Sequence, residues 1–205
     1  VSGGGGRGLG RPEQAAAYRA RAESDILEGL GIDRSRLHVK QRGRQRAETG
    51  GRQQYERLDD RGRTKIVAEC GARFEINLTD YLDVGLFLDH RQTRGRVAET
   101  ATGRRVLNLF AYTGAFTVHA RLGGAARTKT IDLSRTYLDW FERNLALNGL
   151  APTDDHVTLH ADCLDSVAAG PAPGEAYDLV ICDPPTFSNS KRMRAGSFAI
   201  ERDAG

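Results

Sequence analysis

Cysteine is scarce in this chain. Cys70, Cys163 and Cys182 are odd in number, scattered and without a CxxC pair, so neither a disulfide framework nor a zinc site is indicated, and the thiols are expected to be reduced and mostly buried. No metal is expected. No apolar run approaches the roughly 18 residues that a membrane span needs. The opening Val1-Ser2 and four glycines lack the basic-then-apolar order of a secretory signal, so a cytoplasmic location is expected. Also missing is a GxGxxG turn, the phosphate cradle of dinucleotide enzymes, which argues against a nicotinamide-dependent oxidoreductase. What is present is a chain of 205 residues with 39% hydrophobic and 7% aromatic side chains, enough for one globular domain with a real core and a small appendage.

Net charge is only +3, yet the basic residues are unevenly spread. Between residues 34 and 65, eleven basic side chains, among them Arg42, Arg44, Arg46 and Arg52, stand against four acidic ones. Such a run is either a solvated loop or a set of phosphate contacts for nucleic acid. By itself it decides nothing.

Residues 1–12 read as a flexible glycine-rich linker, and 13–100 as an N-terminal α+β extension. Within the extension, Gln14 to Leu30 reads as a helix stopped by Gly31. Leu37 to Lys40 is expected to be a short strand, Arg42 to Arg52 a mobile loop, and Lys65 to Ala68 and Arg73 to Leu78 strands. Residues 101–205 are organised differently. Val106 to Phe110, Thr128 to Asp132, Val157 to His160 and Tyr177 to Cys182 read as strands. They alternate with helices over Thr113 to Leu122, Arg135 to Asn148 and Cys163 to Ala169. That alternation predicts an α/β fold with a parallel sheet of right-handed βαβ units.

In such a sheet, ligands bind beyond the carboxyl ends of the strands, where strand order reverses. The first strand runs into Phe110-Ala111-Tyr112-Thr113-Gly114, a turn with one glycine and two aromatics. It leaves little room for a pyrophosphate and favours a ligand without phosphates. The second strand ends at Asp132, eighteen residues after Gly114, where a carboxylate can accept both hydroxyls of a ribose. The third is followed by Asp162-Cys163. Asp162 can take the exocyclic amine of an adenine, cap the next helix, or do both. The fourth ends at Asp183-Pro184-Pro185, whose prolines cannot continue a central strand and so hold Asp183 at the sheet rim. In this order and spacing the four tips suit an adenosine.

At these residues the chain resembles the class I S-adenosylmethionine-dependent methyltransferases. More narrowly, it resembles the guanine-N7 half of the bifunctional large-subunit (23S) ribosomal RNA methyltransferases. The runs that carry the resemblance are LTDYLDVGLFLDHR (78–91), VLNLFAYTGAFTVHA (106–120), IDLSRTYLDWFERNLALNGL (131–150), ADCL (161–164) and YDLVICDPPTFSNSKRM (177–193). It implies a Rossmann-like sheet and S-adenosyl-L-methionine as cofactor. Phe87, Asp89 and Arg91 would line its methionine end, with Arg91 facing the carboxylate. Phe110, Tyr112, Thr113 and Gly114 would cradle it, Asp132, Leu133 and Ser134 would hold the ribose, and Asp162 and Cys163 would meet the adenine. Asp183, Pro184, Pro185 and Phe187 would face the reacting methyl group and base, and Ser188, Asn189, Ser190 and Lys191 the approaching RNA. The family's sheet has seven strands and continues past the point where this sequence stops. The resemblance therefore implies a truncated sheet with its first four strands, an incomplete base pocket, weak cofactor binding and slow turnover.

Guanine N7 carries an exposed lone pair and needs no general base, so the expected work of the protein is orientation and charge matching. Asp183 would supply negative potential beside the cationic product, and Phe187 would stack on the base. Cytosine C5, the alternative target, needs a cysteine that adds to C6, and neither Cys163 nor Cys182 stands where such an attack is expected. A catalytically silent RNA-binding module is the other alternative.

Overall fold

The computed structural model describes residues 12–40, 62, 64–81 and 83–185. Packing divides the chain into two compact units, Val1–Gln41 and Arg42–Gly205.

The first unit carries helix α1 (Pro12–Leu30) and a short 3-10 turn at Arg34–Arg36. Helix α1 ends as its glycine requires. Gly31 takes φ 58°, its N–H donates to Glu28 O and that of Ile32 to Leu27 O, the paired bonds of a Schellman cap. An ion pair of 2.9 Å from Arg34 to Glu23 ties the turn to the helix. The strand expected at Leu37 to Lys40 does not form. Apolar alternation over four residues is too weak a signal without a partner ladder.

The second unit opens with a hairpin of β1 (Thr64–Glu69) and β2 (Ala72–Asn77), antiparallel in the register Glu69 opposite Ala72. After a 3-10 turn at Leu88–His90 come α2 (Arg91–Thr100), β3 (Arg105–Leu109), α3 (Ala115–Leu122), β4 (Arg127–Asp132), α4 (Arg135–Leu147), β5 (His156–His160), α5 (Cys163–Ala169) and β6 (Leu179–Cys182). The last four strands form a parallel sheet in the order β5-β4-β3-β6. The chain thus steps outward from β3 to β5 and then returns to the other side of β3, so the reversal point lies between β3 and β6. The sequence reading grouped residues 13–100 as one extension. In the structure the hairpin and α2 pack into the unit that holds the sheet.

Burial explains the central strands. Val106 and Leu109 of β3 and Ile131 of β4 are nearly inaccessible, as parallel strands covered on both faces should be. The polar side chains buried beside them satisfy one another: Asn108 Nδ2 donates to Thr117 Oγ1 at 2.9 Å, and Thr117 shares a 2.8 Å hydroxyl bond with Thr130.

Helix α4 takes the place of a strand partner for β2. Asn148 accepts from the Arg73 N–H and donates to the Arg73 carbonyl, and Asn144 accepts from the Glu75 N–H. The match is geometric, since four helical residues rise about 6 Å and two strand residues about 6.8 Å. Trp140 Nε1 adds a bond to Glu75 O.

Helix α2 was not legible in the sequence. Its RQTRGRVAET run has no apolar periodicity, because the residue it buries deepest is an arginine. Arg94, 2% exposed, forms a bidentate pair with Glu69 at 2.6 and 2.9 Å. His119 lies 3.4 Å from the same carboxylate.

Candidate active site at the strand tips

The β3-to-α3 turn is the most strained segment described. Phe110 and Tyr112 take φ of 54° and 53°, conformations that cost non-glycine residues about 1–3 kcal/mol each and persist only where the surroundings over-determine them. Here three consecutive N–H groups are tied down. That of Phe110 donates to Cys163 Sγ at 3.1 Å, that of Ala111 to Ile131 O at 3.1 Å, and that of Tyr112 to Asp132 Oδ2 at 2.8 Å. Gly114 completes the turn at φ 70°, where an added Cβ would fall 1.9 Å from Phe141 Cδ2. No other residue fits there.

Asp132 is the hub of this arrangement. Its Oδ2 accepts from Tyr112 and its Oδ1 from the Ser134 N–H at 2.8 Å. Burial pushes its carboxyl upward, while those two backbone donors and the nearby His160 pull the other way. A carboxylate offers about four lone-pair sites, so acceptor capacity remains for a hydroxyl of a ligand. His160, opposite Asp132 in the sheet, steadies the loop by contacting Leu133 O at 2.9 Å. The Leu133 side chain is 49% exposed, and Ser134 caps α4 through Tyr137.

Asp162 accepts from the Leu164 N–H at 2.9 Å and so caps α5. Its second oxygen has no partner among the described residues. The side chains of Thr113 and Cys163 are turned into the core and bond to the loops around the tips. Thr113 Oγ1 donates to Gly85 O at 2.7 Å. The Cys163 thiol is pushed up to about 12, chiefly by burial, and stays protonated.

A second segment is welded to the cradle. The Gly85 N–H donates to Tyr112 Oη at 2.9 Å, and the rings of Phe87 and Tyr112 lie 5.1 Å apart. Phe87 is 47% exposed. Asp89 is exposed too, and Arg91 heads α2 with no ion pair among the described residues. His90, which sequence reasoning passed over, lies 3.3 Å from Asp183 Oδ2 across the reversal point. Its position in the run FLDHR, between two residues already singled out, was the available signal. Pro184 and Pro185 follow Asp183 at partial exposure. Phe187, Ser188, Asn189, Ser190, Lys191, Arg42, Arg44, Arg46 and Arg52 lie outside the described residues.

The donor set suits an adenosine: a carboxylate with spare acceptor capacity for a diol, a capped Asp at the neighbouring tip, and an aromatic pair beside them. Among the described residues no cluster of His, Cys, Asp or Glu could hold a metal ion, and no helix is long and apolar enough to cross a membrane.

Comparison with known proteins agrees with this geometry. The profile of the S-adenosylmethionine-dependent methyltransferase family matches residues 35–204. The chain is 48% identical to a ribosomal RNA large subunit methyltransferase K/L of Alcanivorax borkumensis, over 95% of its own length and 26% of that protein's. It is 45% identical to a ribosomal RNA large subunit methyltransferase K of Neisseria meningitidis, over 95% and 53%. The chain thus spans about a quarter to a half of these curated relatives. Among solved structures, a methyltransferase crystallised with SAH superposes with a TM-score of 0.63 at 32% identity, covering 71% of this chain and 37% of the other.

Proposed function

Since the chain belongs to the S-adenosylmethionine-dependent methyltransferase family, we propose that it serves methyl transfer to large-subunit ribosomal RNA, at N7 of a guanine. The observation that carries the reading is the convergence of Asp132, Asp162 and Asp183 on one end of the sheet, with the strained 110–114 turn between them. The names of the relatives support the RNA substrate.

When bound, S-adenosylmethionine supplies an electrophilic methyl group. Asp132 would hold its ribose, Asp162 its adenine amine, Phe87 and Tyr112 its flank, and Arg91 its carboxylate. Asp183, 49% exposed at the rim, would present its charge to the base as positive charge develops there. No proton need be removed before N7 attacks, which agrees with a site whose carboxylates are engaged as acceptors. Phe187 would stack on the base, and Ser188, Asn189, Ser190, Lys191 and the arginines from Arg42 to Arg52 would contact the RNA.

Two observations disfavour the cytosine-C5 alternative. Cys163 is 2% exposed with a thiol near 12, and the Cys182 thiol is pushed up by burial and then by the Asp183 charge. Neither supplies the thiolate that C6 addition needs.

The test is incubation of the chain with labelled S-adenosylmethionine and an unmodified large-subunit ribosomal RNA transcript, followed by nuclease digestion and mass spectrometry. 7-Methylguanosine is expected, with a loss of about 10²-fold or more in Asp183→Ala. Label in 5-methylcytidine or in 2-methylguanosine would overturn the N7 assignment, and no label in RNA would overturn the substrate.

A further inference from the structure

The geometry points to His90 as a positioning residue that fixes the Asp183 carboxylate for methyl transfer, an inference that rests on the reading above. It starts from a contrast among the three strand-tip carboxylates. Asp132 is held by the N–H two residues on, Ser134, and Asp162 by the N–H two residues on, Leu164. At Asp183 the same device is impossible. The next two residues are Pro184 and Pro185, which have no N–H to donate. The prolines that hold the backbone rigid therefore leave the side chain without a local donor.

The His90 imidazole lies beside the Asp183 carboxylate instead. Its Nε2 lies 3.3 Å from Asp183 Oδ2 and 3.9 Å from Asp89 Oδ2, so the imidazole sits between two carboxylates. Its ring packs 5.8 Å from that of Phe116, on the first turn of α3 just past Gly114. The other side of this support is fixed as well: the Arg94 guanidinium lies 5.9 Å from the Phe116 ring, and Arg94 is clamped to Glu69. The His90 turn runs directly into α2, which carries Arg94. A partner from a different element, braced against the helix that starts at the cradle, thus links the β3 tip to the β6 tip. That link fixes one oxygen of Asp183, whose side chain stays 49% exposed.

The test compares four full-chain variants, His90→Phe, His90→Gln, Asp183→Asn and the His90→Phe/Asp183→Asn double variant, in the same transcript assay, with cofactor affinity measured by calorimetry. His90→Phe keeps a ring against Phe116 and removes the imidazole nitrogen that faces Asp183. His90→Gln returns a polar side-chain nitrogen at similar reach. Positioning predicts that His90→Phe lowers kcat at least tenfold with cofactor Kd within twofold, that His90→Gln recovers to within about threefold of the parent, and that His90→Phe has no further effect in an Asp183→Asn background. A full-rate His90→Phe, a His90→Gln as slow as His90→Phe, or an undiminished loss in the Asp183→Asn background would overturn it. Carboxyl ¹³C NMR of Asp183 reads the contact without RNA. If the parent chain methylates no RNA but the Asp183 resonance moves in His90→Phe, the substrate reading fails and the positioning role stands. An unmoved resonance overturns the positioning role whatever the RNA result.

Discussion

The two ends of the parallel sheet treat charge in opposite ways. At the N-terminal ends of the strands, cations meet carboxylates: Arg105 with Asp178 at 3.0 Å, Arg127 with Asp155 at 2.9 Å, Lys129 with Glu175 at 3.0 Å. The carboxyls of Glu175 and Asp178 are held down to about 2, the first by the Tyr177 hydroxyl and then Lys129, the second by Arg105. A cavity of about 230 Å³ opens at that end, lined by Arg105 and by the Arg127–Asp155 and Lys129–Glu175 pairs. At the C-terminal tips Asp132, Asp162 and Asp183 make no ion pair with a lysine or arginine among the described residues. They are held by backbone N–H groups and one imidazole. A carboxylate matched to a cation has its charge compensated, whereas one held by an N–H keeps both its charge and spare lone pairs for a ligand. Spare acceptor capacity therefore lies at the C-terminal rim rather than around this cavity.

Substitutions at the two ends should separate accordingly. The largest effect is expected from Gly114→Ala, which must adopt a positive φ and intrude on Phe141. Together these cost about 2–5 kcal/mol, readable as a lowered urea midpoint, and a midpoint equal to the parent's would mean the turn is not over-determined. Asp132→Asn comes next. It keeps the shape but removes a charged acceptor and leaves one backbone N–H facing an amide, so cofactor binding should weaken roughly tenfold to a hundredfold by calorimetry. An unchanged Kd would erase the distinction between the two ends.

A smaller effect concerns the buried cluster between them. Burial pushes the His119 imidazole down, against the pull of Glu69 and with help from Arg94. Burial alone would raise the Glu69 carboxyl, but Arg94 and His119 outweigh it and leave it lowered. A depressed folded value gives stability that is complete above the unfolded value and lost as pH falls below it. For His119 that loss begins near pH 6.5, and for Glu69 only near 4.5. Between pH 7.5 and 5.5 the parent should lose about 1 kcal/mol that a His119→Phe variant does not lose, measured by denaturant titration at both pH values. Equal slopes would show that His119 is not buried in its neutral form. The smallest effect is expected from Arg127→Ala. Its pair with Asp155 is mostly exposed, so stability and cofactor affinity should both stay within about 0.5 kcal/mol. A tenfold fall in affinity would place function at the wrong end of the sheet.

Much of this was legible in advance, for identifiable reasons. Each strand of the sheet is a short apolar or β-branched run, and β3, β4 and β5 are each followed by a helix with a cap or a glycine stop, so order and type followed from local chemistry. Asp132 and Asp162 could be assigned to strand tips because parallel strands put their carboxyl ends on one edge. Helix α2 escaped because its core contact is a charged pair between residues 25 positions apart. His90 escaped because its role depends on Asp183, 93 positions away in sequence, and neither residue advertises the other. Cys163 was legible as a tip residue, but not as an acceptor buried under Phe110.

By itself, then, the sequence determined the alternation of strands and helices, the glycine turn and the three acidic tips, since these rest on periodicity, φ preference and proline's missing N–H, all properties of neighbouring residues. Only the tertiary structure decided which way each tip side chain turns and what holds it. Those choices belong to partners brought in from distant elements, as Tyr112 is to Asp132, Cys163 to Phe110 and His90 to Asp183, and no local rule encodes a partner that arrives by folding.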